Sequence, residues 1–211
     1  MVEKFAINLV DQMLENKMIV EQQKEYYIYS LILQIERIIT LGTILIISYF
    51  EDNLILTVLF LIFFLTLRAR TGGFHCNTFE QCYIGTTLTY ALIAVLADYG
   101  VHYWKFLLAI LFLAIATVVA IGTVNHPNMH MNSLELEGSK KAARMLVVLQ
   151  GSVIYFCVFL KVDMMYIYYM SIAVILCAIL LCLSKILKQE VDENEESEQK
   201  SLGGSGKGSK V

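Results

Sequence analysis

Residues 103–123 read YWKFLLAILFLAIATVVAIGT, and after Lys105 no charge interrupts the run. An α-helix needs about 20 apolar residues to cross the ~30 Å hydrocarbon core of a bilayer, so this stretch by itself predicts a transmembrane helix. Working outward, further apolar runs occur near residues 27–49, 53–67, 83–99, 145–161 and 165–184, which makes six predicted spans. The second is short, and Arg68 and Arg70 follow it at once. Their long stems can lie along the apolar slab while the guanidinium groups stay in water, which completes the crossing. Composition agrees: with 57% hydrophobic residues and a mean hydropathy of +0.63, the chain has more apolar surface than one small core could hide. A net charge of -3 gives no basic bias, so no nucleic acid partner is expected and the lipid bilayer is.

Lys and Arg residues set the expected orientation, because cytoplasmic loops collect them. Lys4, Lys17 and Lys24 precede the first span, Arg68 and Arg70 follow the second, Lys140, Lys141 and Arg144 lie between the fourth and fifth, and Lys185 and Lys188 follow the sixth. The other side has Lys105 and Lys161 beside short turns such as Glu51-Asp52-Asn53. Both termini and the segment from Arg68 to Cys82 should therefore face the cytosol. Residues 3–20 place Phe5, Leu9, Met13 and Val20 on one side and charges on the other, the pattern of an amphipathic helix lying in the interface. No continuous apolar h-region precedes the first span, so no signal peptide is expected. Glu36 and Arg37 interrupt that span; the simpler reading starts the span after Arg37 and leaves Tyr26, Tyr27 and Tyr29 at headgroup level. Residues 1–188 read as one polytopic domain. Residues 189–211 turn acidic, then Gly- and Ser-rich, a composition expected to be disordered, and Gly203 to Gly206 has the look of an engineered linker.

The stretch that could carry chemistry is residues 68–82, RARTGGFHCNTFEQC. Thr78 with Gln81, or Asn77 with Glu80, fits a capping box, so a helix should begin here and run into the third span. Cys82 then sits in its first turn, where the positive end of the helix dipole favours a thiolate. Of five cysteines, Cys157, Cys177 and Cys182 fall inside apolar runs and read as small hydrophobes, whereas Cys76 and Cys82 lie in this polar stretch. His75 precedes Cys82 by seven residues, which on a straight helix would separate the backbones by ~10.5 Å. A shared hydrogen bond needs a bend, and Gly72 and Gly73 can supply it. In that geometry His75 acts as general base and acid and Cys82 as nucleophile. Backbone N–H groups near Gly72, Gly73 or the helix start are candidates for holding an oxyanion. The expected fold is thus all-α integral membrane, with about six transmembrane helices, an N-terminal amphipathic interfacial helix and a bent or re-entrant segment near residues 68–82.

Other readings of the same residues stay open. A zinc site could draw on His75, Cys76 and Cys82 with His126 or His130, although it lacks close ligand pairs. Neither a metal nor another cofactor is expected. Gly72-Gly73 could be a plain turn. Arg68, Arg70, Lys140, Lys141 and Arg144 could mark orientation and nothing more. A transporter or exporter without proteolysis is the alternative function, and it would want ionisable residues in several spans, where this chain offers Glu36, Arg37 and Asp98.

The Arg-rich lead into Gly-Gly-Phe-His75, the Cys seven residues later, about six spans and a basic stretch after the fourth resemble the AgrB family over most of residues 1–188. These are membrane cysteine endopeptidases that process quorum-sensing propeptides. The resemblance implies that His75 and Cys82 are catalytic and that an AgrD-like propeptide is the substrate. It is cut on the C-terminal side of the future signal, and the acyl part is held as a thioester on Cys82. A Cys or Ser of the bound peptide then closes a thiolactone or lactone ring. It further implies a multi-pass protein of a cell membrane, in a Gram-positive bacterium, and suggests a homodimer. The cations Arg68, Arg70, Lys140, Lys141 and Arg144 would hold the acidic part of the substrate. Family members tend to have more than one Pro after the fourth span, whereas Pro127 stands alone here.

Overall fold

A computed structural model describes residues 2–16, 18–72, 79–124 and 133–187. Among them all regular structure is helical: α1 (Val2–Glu15), a 3-10 turn (Glu21–Gln23), α2 (Lys24–Phe50), α3 (Leu54–Thr71), α4 (Phe79–Val95), α5 (Ala97–His102), α6 (Trp104–Ile121), α7 (Ser133–Phe159) and α8 (Met164–Ile186). Five of these, α2, α3, α6, the part of α7 from Leu136, and α8, are long and apolar enough to cross a membrane. The chain is an all-α membrane protein. The stretch expected as the third span, 83–99, is divided at Leu96 into the 17-residue α4 and the six-residue α5. The polar tail, with its linker, lies outside the described residues.

The helices form two compact units: α1, the 3-10 turn, α2 and α4 in one (Met1–Leu54 with Cys76–Val95), and α3, α5, α6, α7 and α8 in the other (Ile55–His75 with Leu96–Val211). In the first unit α1 is held against α2. The apolar arc of α1 is wider than its packed strip: Ala6 and Val10 are fully buried, whereas Phe5, Ile7 and Leu9 are exposed. A helix whose apolar residues outnumber its protein contacts suits the membrane interface. An ion pair 2.8 Å long from Lys24 Nζ to Asp11 joins the start of α2 to α1.

Helix α2 runs without a break through Glu36 and Arg37. Only 13 residues follow Arg37 before the helix ends at Phe50, a rise of roughly 20 Å, too short for a ~30 Å hydrocarbon core. The exposed aromatics Tyr26 and Tyr49-Phe50 mark its two ends, about 36 Å apart at the α-helical rise. Glu36 is half-buried and Arg37 exposed, near the middle of this helix.

In the second unit α6 and α7 run antiparallel, as three contacts along their length record. Lys140 packs over Gly122, Arg144 Nε donates to Val119 O at 2.9 Å, and Tyr155 OH donates to Leu108 O at 3.1 Å. Gly151 lets the two helices close up, since a Cβ there would meet the Ile115 side chain at 2.5 Å. Helix α8 forms the centre of this unit, with twelve buried residues, and its start is capped by Asp163, which accepts from Met165 N at 2.9 Å. Helix α3 is tied in through polar groups at membrane depth. Gln150 Nε2 donates to Phe63 O and to Thr66 Oγ1, each at 3.0 Å, and Cys177 Sγ donates to Phe64 O at 3.5 Å. Such bonds persist because no water competes for the donors there.

Candidate active site

The residues that lead into the His75 segment are fixed by an unusual helix end. Any α-helix finishes with carbonyls that lack intrahelical donors, and at an interface water can satisfy them. At the end of α3 the protein does so. Gly72 takes φ +64, and its N–H donates to Arg68 O at 3.2 Å, the left-handed cap for which glycine is suited. Thr123 Oγ1 donates to Arg70 O at 2.8 Å, and Val124 N–H donates to Thr71 O at 3.1 Å. The Arg68 guanidinium donates to Gly72 O, as does Thr71 Oγ1 at 3.3 Å. Helix α6 ends in the same way, with Gly122 at φ +78 donating to Val118 O at 2.7 Å. The exits of α3 and α6 are therefore stapled together, and Gly72 and Val124 approach so closely that a Cβ on Gly72 would lie 2.9 Å from Val124 O.

This staple places the expected cations. Arg68 is half-buried, turned back on its own helix end, and Arg70 is exposed. Lys140, Lys141 and Arg144 belong to α7, which starts at Ser133, twelve residues before the span was expected to begin. They are helical residues and not a loop. Lys140 is half-buried with its stem over Gly122, Arg144 is exposed and bonded to the end of α6, and Lys141 is exposed. The second unit thus brings all five cations to one end, where α3 and α6 finish and α7 begins. Gly72 has a different part from the one expected of it: its N–H is engaged by Arg68 O, so it is not a free oxyanion donor.

Cys82 is the fourth residue of α4, in its first turn, and is exposed. Its neighbour Tyr83 anchors that turn, the phenol and Thr43 Oγ1 of α2 lying 3.2 Å apart. Glu80 and Gln81 are exposed. His75, Gly73, Cys76, His126 and His130 lie outside the described residues. Among the described residues no group of His, Cys, Asp and Glu is arranged to hold a metal ion. Cys177 is buried, and Cys157 and Cys182 are half-buried, positions that suit small apolar side chains. Sequence reasoning passed over Thr123 and Gln150. Gln150 is a polar residue inside an apolar run, a signal of interhelical bonding, whereas Thr123 carries no local signal at all.

A family model described as accessory gene regulator B matches residues 3–184, an interval that contains both His75 and Cys82. No curated protein and no solved structure matches the chain.

Proposed function

The chain belongs to the accessory gene regulator B family, membrane proteins that process propeptides in a quorum-sensing system, and from that membership we propose that it is a cysteine endopeptidase with Cys82 as nucleophile and His75 as base. The imidazole takes the Cys82 proton, and the sulfur attacks the scissile carbonyl of an AgrD-type propeptide. The C–N bond breaks, and the imidazolium gives its proton to the leaving amine. The N-terminal fragment remains as a thioester on Cys82. A thiol or hydroxyl of that fragment then attacks the thioester, releases the ring and returns a proton to Cys82. No water is consumed, so water must be kept from the acyl-enzyme until the intramolecular nucleophile arrives.

One observation carries this reading: an exposed Cys82 in the first turn of a helix, inside the interval the family model matches. The cations gathered at one end of the second unit support binding of an acidic peptide segment there, with both termini and this end in the cytosol. Cys82→Ser and His75→Ala should each abolish propeptide cleavage in membranes while Cys76→Ala leaves it largely intact, read by electrophoresis of the labelled propeptide. Cleavage by the Cys82→Ser protein at the normal rate would overturn the proposal.

A further inference from the structure

We infer that the groove between α6 and α8 holds one acyl chain of an anionic phospholipid, with Lys185 at the headgroup. Helix α6 packs along α8, and both are long and apolar enough to span. Between them lies a free volume of about 360 Å3. Its floor is Ala114 and Ala178, both buried, and its rims are Leu113 and Ile179, both exposed. At 3.6 residues per turn, Leu113 and Thr117 of the groove fall on the opposite side of α6 from Leu108, Ile115 and Val119, which meet α7. The groove is therefore open to lipid and not closed by the third helix. Nothing in it addresses a polar ligand: the Thr117 hydroxyl donates to Leu113 O at 2.8 Å within its own helix, and neither α6 nor α8 contains Asp or Glu.

Dimensions and charge select the occupant. On α8 the lining runs from Ile175 to Ile186, a rise of roughly 16 Å, against ~15 Å for half of the hydrocarbon core. The groove thus has the depth of one leaflet. About 360 Å3 spread over that length leaves a cross-section of roughly 20 Å2, room for a hydrocarbon chain, where a helix about 10 Å across needs roughly 80 Å2. Lys185 is exposed and is the one charged residue of α8. It follows Ala178 by seven residues and Cys182 by three, a spacing that keeps all three on one face of the helix, so it stands where the lined strip ends. Because α8 turns back after α7, this is the end at which α7 begins, the end that the distribution of Lys and Arg predicts to be cytosolic. The cytosolic leaflet is the one whose surface is negative.

The test is native mass spectrometry of the full-length protein in detergent, titrated with dioleoyl phosphatidylglycerol or with dioleoyl phosphatidylcholine, which share their acyl chains and differ in net charge. The parent should retain one phosphatidylglycerol per chain about fivefold more strongly than phosphatidylcholine. Lys185→Gln should remove that preference and leave phosphatidylcholine retention as it was. Lys141→Gln, a change of charge at the same end of the unit but on α7, should keep the preference. Cys182→Trp fills the groove from its half-buried wall and should lower retention of both lipids. Phosphatidylglycerol binding that is unchanged in Cys182→Trp overturns the inference. So does a preference that survives Lys185→Gln, or one that falls equally with Lys141→Gln, which would make it a general effect of charge. A lipid-free dimer that Cys182→Trp separates would put a second copy of the chain in the groove and overturn it too. If Cys182→Trp does not accumulate in the membrane, Thr117→Phe fills the same space and carries the same comparison.

Discussion

Helices α8 and α2 are both long and apolar, yet 67% of the apolar window of α8 is buried within the protein against 6% of that of α2. The difference runs through the two units to which they belong. In the second unit helices approach closely: a Cβ on Gly100 would lie 2.1 Å from the Tyr168 ring, one on Gly151 would lie 2.5 Å from Ile115, and one on Gly72 would meet a backbone oxygen. In the first unit Gly42 and Gly85 have nothing within 4 Å of a Cβ, and α2 leaves Ile38, Ile46, Tyr49 and Phe50 exposed. Apolarity alone says that both helices prefer lipid to water. Packing decides which of them is scaffold. The second unit has the build of a rigid frame that ends in the residues leading to His75, and the first displays Cys82 on a helix start anchored by Tyr83 and Thr43.

Substitution at the glycines tests this contrast most severely. Gly72→Ala should give the largest effect, because the left-handed conformation costs a residue with a Cβ about 1–2 kcal/mol and the added methyl group presses on Val124 O, opening the staple. Loss of cleavage with reduced membrane accumulation is expected, measured by immunoblot and propeptide assay. Normal activity in Gly72→Ala would mean that the α3 exit is not the fixed point described. A smaller effect follows from Gln150→Leu, which removes two interhelical bonds from α3. Such bonds in membranes contribute about 0.6–2 kcal/mol, so detergent-melting of the purified protein should move down while KM is unchanged; an unmoved midpoint would show that α3 is held by other contacts. The least effect is expected at Gly42→Ala and Gly85→Ala, which should accumulate and cleave as the parent does. If either fails to accumulate, the open space around α2 or α4 is filled by a partner, and the comparison between the units needs that partner added.

Much of the fold was legible because hydropathy reads lipid directly. The runs at 53–67, 103–123 and 165–184 sit within or upon α3, α6 and α8, and the capping pattern at Asn77 to Gln81 located the start of α4, which begins at Phe79. The beginning of α7 was not legible, since a polar helical turn carrying Glu137, Lys140 and Lys141 looks the same as a loop to any measure of apolarity. Nor was the break at Leu96, where neither Gly nor Pro stands. Gly100, four residues later, is explained by its approach to Tyr168 on α8, a contact no local pattern announces. At the candidate site the same rule holds. Cys82 in a first helical turn followed from neighbouring residues, and the positive φ of Gly72 from its being read as a place where the backbone could turn, though not as the cap of α3. The bond from Thr123 to Arg70 joins residues 53 apart, and a threonine at the end of an apolar run gives no hint of its acceptor.

The most direct test of the chemistry is intact-mass spectrometry of the detergent-purified protein mixed with its propeptide and quenched in acid within seconds. A mass increase equal to the N-terminal propeptide fragment less water, mapped to Cys82 by digestion, lost on treatment with hydroxylamine and absent from Cys82→Ser, is the result expected. Cleaved propeptide with no adduct on the parent protein, or an adduct that survives in Cys82→Ser, would contradict it.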